Sequence, residues 1–316
     1  MVTPLRIVFF GTPRFAVPTL ECLLQSPHPV AGVVTQPDRP RGRGHHVSEA
    51  PVKSLATARG LPLYQPARLR DPEVAATLRD WDPDLGVVAA YGRLIPDEVL
   101  ALPRLGMINV HASLLPKYRG AAPVHRAVMA GERETGVTIM RVIRELDAGP
   151  TFAAVARPIG PDETSDVVER DLAALGGSLL VDVVHAMAEG AAHEEPQDET
   201  LATYAPKITR EDGLIDWTRR GRSIHDQVRG LHPWPHAYTF LDGARLIVLR
   251  TRVEPAAAPS RPPGTIVHVS REALHVATGS AEAVVLEQVQ PEGRRPMTVR
   301  DYLAGRPLRA GAVLGG

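Results

Sequence analysis

Leu5-Arg6-Ile7-Val8-Phe9-Phe10-Gly11-Thr12-Pro13 opens the chain's first structural element. Residues 5–10 form a short apolar run rich in β-forming side chains, and Gly11 and Pro13 cut it off. Such a run predicts a strand buried on both faces. Helical periodicity follows over residues 15–24, then a second strand pattern over 30–35. Residues 61–64, 84–90 and 106–111 continue the series, with helical stretches such as 71–81 between them. Apolar strands alternating with helices predict an α/β fold: a doubly wound, mostly parallel, Rossmann-like sheet covered on both faces. Residues 137–142 and 151–155 predict two further strands joined by a short turn, and 163–189 a long helix.

The texture changes near residue 190. Residues 190–200 are polar and acidic, and 190–205 are expected to be a linker. Beyond Pro206 the expected strands are short: 237–241, 245–252, 264–269, 273–277 and 283–289. Asp242-Gly243 between the first two is a hairpin signal. Five short strands predict a small β-barrel of OB-like type. The proline- and alanine-rich stretch 255–263 is expected to be a loop within it. A chain of 316 residues exceeds what one compact core usually holds. The expected division is a domain over 1–189, the linker 190–205, and a barrel domain over 206–316.

The chain carries 36 Lys plus Arg against 36 Asp plus Glu, which argues against a simple polycation that coats nucleic acid. From Pro206 onward the count is 16 basic against 11 acidic, a surplus of five that the first 205 residues balance with the opposite sign. A basic smaller domain points to a polyanionic partner. The single cysteine, Cys22, rules out an internal disulfide and a cysteine-rich zinc site, and reads as a buried small hydrophobe. The first strand pattern begins too early for a signal peptide. No apolar run approaches the length of a bilayer span, so the expected compartment is the cytoplasm.

Asn109 and His111 lie two residues apart at the end of a strand pattern, so their side chains share a face. Pro116 and Gly120 prevent that strand from continuing. The pair therefore falls at the carboxyl end of a parallel strand, where open α/β sheets place their ligands. An amide donates to a developing oxyanion, and an imidazole shuttles a proton near neutral pH. An N-x-H pair alone is a weak signal and fits a hydrogen-bonded structural histidine better. Asp147, in Leu146-Asp147-Ala148-Gly149-Pro150, is ordinary turn chemistry unless its carboxylate meets the imidazole. Residues 36–46 carry Arg39, Arg41 and Arg43 among prolines and glycines, with no apolar anchor. They are expected to form an exposed, mobile loop whose arginines suit phosphate contacts, or a merely solvated surface. His45-His46 lack a third ligand at a clear spacing, so no metal is expected. Gly11-Thr12-Pro13 is not a phosphate loop, since Pro13 removes an amide donor.

Taken together, these segments resemble the folate-dependent formyltransferases. Asn109-Val110-His111-Ala112-Ser113-Leu114-Leu115-Pro116 is similar to that family's signature, and Asp147 falls in its D-x-G turn. Within the superfamily, several segments are similar to those of methionyl-tRNA formyltransferases. These include Thr35-Gln36-Pro37-Asp38-Arg39, Arg119-Gly120-Ala121-Ala122-Pro123, Gln197-Asp198-Glu199-Thr200 and Pro233-Trp234-Pro235. The likeness runs over nearly the whole chain, from Arg6 to about Gly305. Pro150 after the D-x-G turn, where the family often has Asp, and His232, where it often has Asn, depart from the pattern.

The resemblance implies a catalytic trio of Asn109, His111 and Asp147, and folate contacts from Ser113, Leu114, Leu115 and Pro116. It implies tRNA contacts from Arg39, Arg41 and Arg43, with Arg43 the best match to the family's acceptor-stem grip. The implied reaction moves the formyl group of 10-formyltetrahydrofolate to the methionyl group of initiator tRNA. The first domain would bind folate and the barrel tRNA. No metal, membrane or obligate protein partner is implied. Two rivals remain open: a relative that formylates an amino sugar on a nucleotide, and a non-enzymatic RNA-binding protein on the same scaffold.

Overall fold

The computed structural model describes residues 3–41, 46–255 and 261–315; the side chains of 39–48 lie outside that description. The chain divides into two compact units. One comprises Met1–Ala121, Thr135–Arg157 and Glu169–Ala205; the other comprises Ala122–Glu134, Pro158–Val168 and Pro206–Gly316.

The first unit is built on a seven-stranded sheet. In spatial order its strands are Thr151–Pro158, Glu134–Arg141, Met107–His111, Leu85–Ala89, Ile7–Gly11, Val30–Val34 and Leu63–Tyr64. The five strands from Met107–His111 to Leu63–Tyr64 run parallel. Glu134–Arg141 runs antiparallel to Met107–His111, placing Met140 opposite Asn109 and Thr138 opposite His111. Ile7–Gly11 and Leu85–Ala89 are buried along their whole length, as their unbroken apolar runs require. Because chain order reverses between these two strands, their carboxyl ends open a crevice of the kind that holds ligands. Just past it, Ala90 and Gly92 have φ of 45° and 78°, turning the chain sharply out of the sheet.

Helix Ser165–Ala188 is the one helix among the described residues long and apolar enough to cross a membrane by length and composition, contrary to the expectation of no such run. Its glycines press against protein. A Cβ at Gly176 would lie 2.6 Å from Val110 Cγ1, and one at Gly177 2.9 Å from Cys22 Sγ. Cys22 is half-buried rather than fully buried, and burial raises its thiol pKa.

The arginine-bearing stretch departs from the expected irregular loop. Arg39–Arg41 and His46–Ser48 pair as antiparallel strands, with Arg41 opposite His46, so backbone groups are satisfied by a ladder instead of by water alone. Arg43 lies outside the described residues.

The second unit carries a curled antiparallel sheet. Its order is Ile266–Val269, Leu274–Ala277, Glu282–Pro291, Ala244–Pro255, Ala237–Leu241 and Leu314–Gly315. The edges meet: Thr265 bridges Val313, and Ile266 N donates to Ala312 O at 2.8 Å. Register shifts around Arg250 in the Ala244–Pro255 strand bend it. The expected small barrel is thus present, closed by residues the sequence did not mark. Asp242 and Gly243 have φ of 51° and 76°, the double left-handed turn that Asp-Gly favours. Ile224, Val228, Leu246, Val248, Val284 and Leu286 share its core.

Candidate active site

Asn109 and His111 project from Met107–His111, the last parallel strand, at its carboxyl end. The strand stops there because Ser113 to Lys117 wraps into a tight turn: Ser113 Oγ donates to Lys117 O at 2.6 Å. Thr138, on the neighbouring strand, fastens this turn to the sheet. Its hydroxyl donates to Ser113 O at 2.7 Å and accepts from Leu115 N at 3.1 Å. The Ser113, Leu114, Leu115 and Pro116 segment is therefore held at a fixed height above the sheet edge, and the Leu115–Pro116 bond is cis.

His111 is 5% exposed. Its Nε2 lies 3.0 Å from Tyr118 O, and since a carbonyl only accepts, that nitrogen carries a hydrogen. Its Nδ1 faces Asp147 Oδ2 at 3.7 Å, within ion-pair distance. The carboxylate's Oδ2 also accepts from Gly120 N at 2.8 Å. Asn109 is half-buried, and its side chain has no hydrogen-bond partner among the described residues. An unengaged amide, an imidazole and a carboxylate thus share one sheet edge. They can polarise a carbonyl and move a proton, and a carbonyl-bearing formyl group fits this donor set.

Pro150 fits its turn without disruption: its carbonyl accepts Arg141 N at 2.8 Å, and the strand Thr151–Pro158 begins directly after it. Sequence reasoning assigned no role to Thr138, Arg119 or Gln197. The stretch expected as linker is tied to the first unit at several points. Arg141 pairs with Glu194, Thr151 bridges Glu195, and Gln197 Nε2 donates to Asp147 O at 2.9 Å. No signal within residues 190–205 announces this, because every partner lies far away in sequence.

Among the described residues, no group of three or more His, Cys, Asp or Glu is placed to hold a metal ion. The second unit has a cavity of 680 Å³ lined by Arg133, Arg220, Arg222 and Arg229 together with Glu132 and Asp226. Asp226 is already engaged by Arg229 at 2.7 Å and Arg222 at 3.3 Å. Arg133 and Arg220 are exposed and make no side-chain hydrogen bond or ion pair among the described residues.

These features coincide with a family assignment. The formyl transferase family model matches residues 5–184, and that family's C-terminal domain model matches residues 207–307. The chain belongs to the formyl transferase family. At the level of individual proteins it is similar to the methionyl-tRNA formyltransferase of Moorella thermoacetica, 46% identical over 98% of this chain and 99% of that one. The methionyl-tRNA formyltransferase of Methylococcus capsulatus is also 46% identical, over 98% of this chain and all of its own. An N-formyltransferase from Helicobacter canadensis, solved with folinic acid and dTDP-3-aminofucose, shares the fold: TM-score 0.65, 13% identity, covering 89% of this chain and 98% of that one.

Proposed function

We propose that this enzyme transfers the formyl group of 10-formyltetrahydrofolate to the α-amino group of methionyl-initiator tRNA, in the cytoplasm and without a metal. The observation that carries the reading is the Asn109, His111 and Asp147 constellation at the sheet's carboxyl edge, in a chain whose full-length relatives are methionyl-tRNA formyltransferases.

The amine attacks the formyl carbon. A nitrogen–carbon bond forms, the bond from carbon to the folate nitrogen breaks, and one proton passes from the amine to that nitrogen. Asn109 donates to the developing oxyanion, with His111 beside it. His111 relays the proton, the substrate taking the place of its Tyr118 partner. Asp147 holds the ring in place. Ser113, Leu114, Leu115 and Pro116 border the folate. Arg39, Arg41 and Arg43 meet tRNA phosphates, and the barrel domain supplies further phosphate contacts through its arginine-lined cavity.

The decisive assay offers methionyl-initiator tRNA and a nucleotide-linked amino sugar side by side, with 10-formyltetrahydrofolate as donor. Formylation of the tRNA alone is the expected result. Formylation of the sugar alone overturns the acceptor, and formylation of neither overturns the reaction.

A further inference from the structure

Asp147 occupies a turn that its own sequence does not fix. Its φ of 49° is left-handed, a region that Asp tolerates and does not prefer over extended backbone. Something must select this conformer, in which the carboxylate lies 3.7 Å from His111 Nδ1.

The selection comes from one side-chain amide. Gln197 Nε2 donates to two main-chain carbonyls of the turn, Asp147 O at 2.9 Å and Gly149 O at 2.7 Å. Both acceptors are carbonyls, so the nitrogen must face the turn and Oε1 must face away. Oε1 is met there by Arg119, whose Nε and Nη2 donate to it at 3.1 and 2.8 Å. Arg119 is only 2% exposed, and its guanidinium also grips Glu199 at both oxygens, at 2.8 and 2.7 Å. A buried guanidinium is stabilised only when its donors are fully engaged. Here they are aimed at Gln197 and at a carboxylate that holds the charge in place.

The chain then closes on itself. Arg119 is followed by Gly120, whose N–H donates to the Asp147 carboxylate at 2.8 Å. Gly120 has φ of 117°, and a Cβ there would lie 2.9 Å from Ala205 O, so that peptide is pinned as well. Residues 119 and 120 thereby control Asp147 twice: the backbone of Gly120 fixes the carboxylate, and the side chain of Arg119 fixes the turn through Gln197.

We infer that Gln197, oriented by Arg119, is a positioning residue for formyl transfer: it holds the Asp147 turn so that the carboxylate faces His111 Nδ1. The inference rests on the role proposed for Asp147 in catalysis. It assigns a function to the 190–205 stretch, which otherwise reads as a tether.

The test is a double-mutant cycle between Gln197→Ala and Asp147→Asn, read as single-turnover formylation per folded enzyme, with thermal stability followed separately. A displaced catalytic group of this kind costs about 100-fold. Gln197→Ala is expected to lower the rate by about that factor while the KM for folate and for tRNA changes little. In the Asp147→Asn background the same substitution is expected to cost almost nothing further, since nothing remains to position. Arg119→Lys, which keeps charge but cannot span both partners, should show a smaller loss of the same kind. Equal losses from Gln197→Ala in both backgrounds, or a loss of thermal stability with an unchanged rate, overturn the positioning role and leave a structural clasp. An Asp147→Asn variant of normal rate overturns the catalytic reading of Asp147 itself, and this inference with it.

Discussion

The roles proposed for Asn109 and His111 rest on their place at the carboxyl end of the strand Met107–His111. In those proposed roles, removing either side chain takes away an oxyanion donor or the proton relay, a loss that typically costs about 100-fold or more in turnover. His111→Ala and Asn109→Ala are expected to lower kcat by at least that factor, with folate affinity little changed, in steady-state kinetics; a variant with near-normal kcat contradicts the assigned role. His28 titrates for structural reasons. His28 is buried, its Nδ1 accepts Leu5 N at 3.0 Å, and its Nε2 lies 2.9 Å from His185 Nδ1. Burial, and secondarily His185, lowers its pKa below the ordinary 6.5. The unfolded chain therefore binds more protons below that pH. The stability His28 contributes is complete above about pH 6.5 and is lost as pH falls toward its folded value. Urea midpoints at pH 7.5 and 5.5 should differ more for the wild type than for His28→Gln, which keeps an acceptor for Leu5 N without a titrating proton. Equal differences refute the assignment. Asn109 and His111 were legible because a strand's two-residue period and the break at Pro116 fixed their side and their place. Asp147, Gln197 and Arg119 could not be joined by the same reasoning, since their meeting depends on turns and strand order far apart in sequence.

At the scale of elements, long apolar runs were readable and polar buried ones were not. Helix Gly221–Gly230 went unmarked because only Ile224 and Val228 give it an apolar face. Yet His225, Asp226, Gln227 and Arg229 are buried as well, each engaged by a partner, although Gln227 Oε1 has none. Gln227 donates to Asp212 O and Leu214 O, His225 meets Thr251 and Pro161, and Arg229 pairs with Asp226. The barrel's closing strand, Leu314–Gly315, was similarly too short to show a period. Helix Ser165–Ala188 shows the opposite case, where the pattern gave the element and packing decides its fine chemistry. At Gly177 an added methyl group gains helix propensity of about 1 kcal/mol. It would also sit 2.9 Å from Cys22 Sγ and 3.0 Å from Pro18 O, and a backbone oxygen cannot step aside cheaply. Overpacking of this kind costs about 1–3 kcal/mol, so Gly177→Ala should lower the thermal midpoint despite its propensity. A raised midpoint means that the two helices separate readily.

At the scale of the whole molecule, the neutral net charge conceals an uneven distribution, with the excess of arginine falling in residues 206–316. The cavity in the second unit gathers three of those arginines, Arg220, Arg222 and Arg229, beside Arg133. Its floor is fixed by the Asp226–Arg229 pair, which is nearly fully buried, while Arg133 and Arg220 stand exposed on its lining. Asp226 neutralises Arg222 and Arg229, whereas Arg133 and Arg220 make no ion pair among the described residues, and a phosphate can accept two parallel hydrogen bonds from such a guanidinium. Each phosphate contact releases condensed counterions from RNA, so affinity must fall steeply with salt. If Arg133 and Arg220 each meet a phosphate, replacing both by Gln should flatten the plot of log affinity against log salt by about two units, roughly one per contact. Arg43→Ala, in the stretch that resembles the acceptor-stem grip, should flatten it by about one unit independently. The folate KM should not move in any of these variants, because none of the replaced residues is among those proposed to carry the reaction or to border the folate. The measurement is tRNA affinity at four or five salt concentrations for the wild type, Arg43→Ala and the Arg133→Gln, Arg220→Gln pair. A wild-type affinity independent of salt transfers the acceptor to a small uncharged-surface ligand. A normal slope in the paired variant confines tRNA recognition to the first unit and makes the cavity solvated surface.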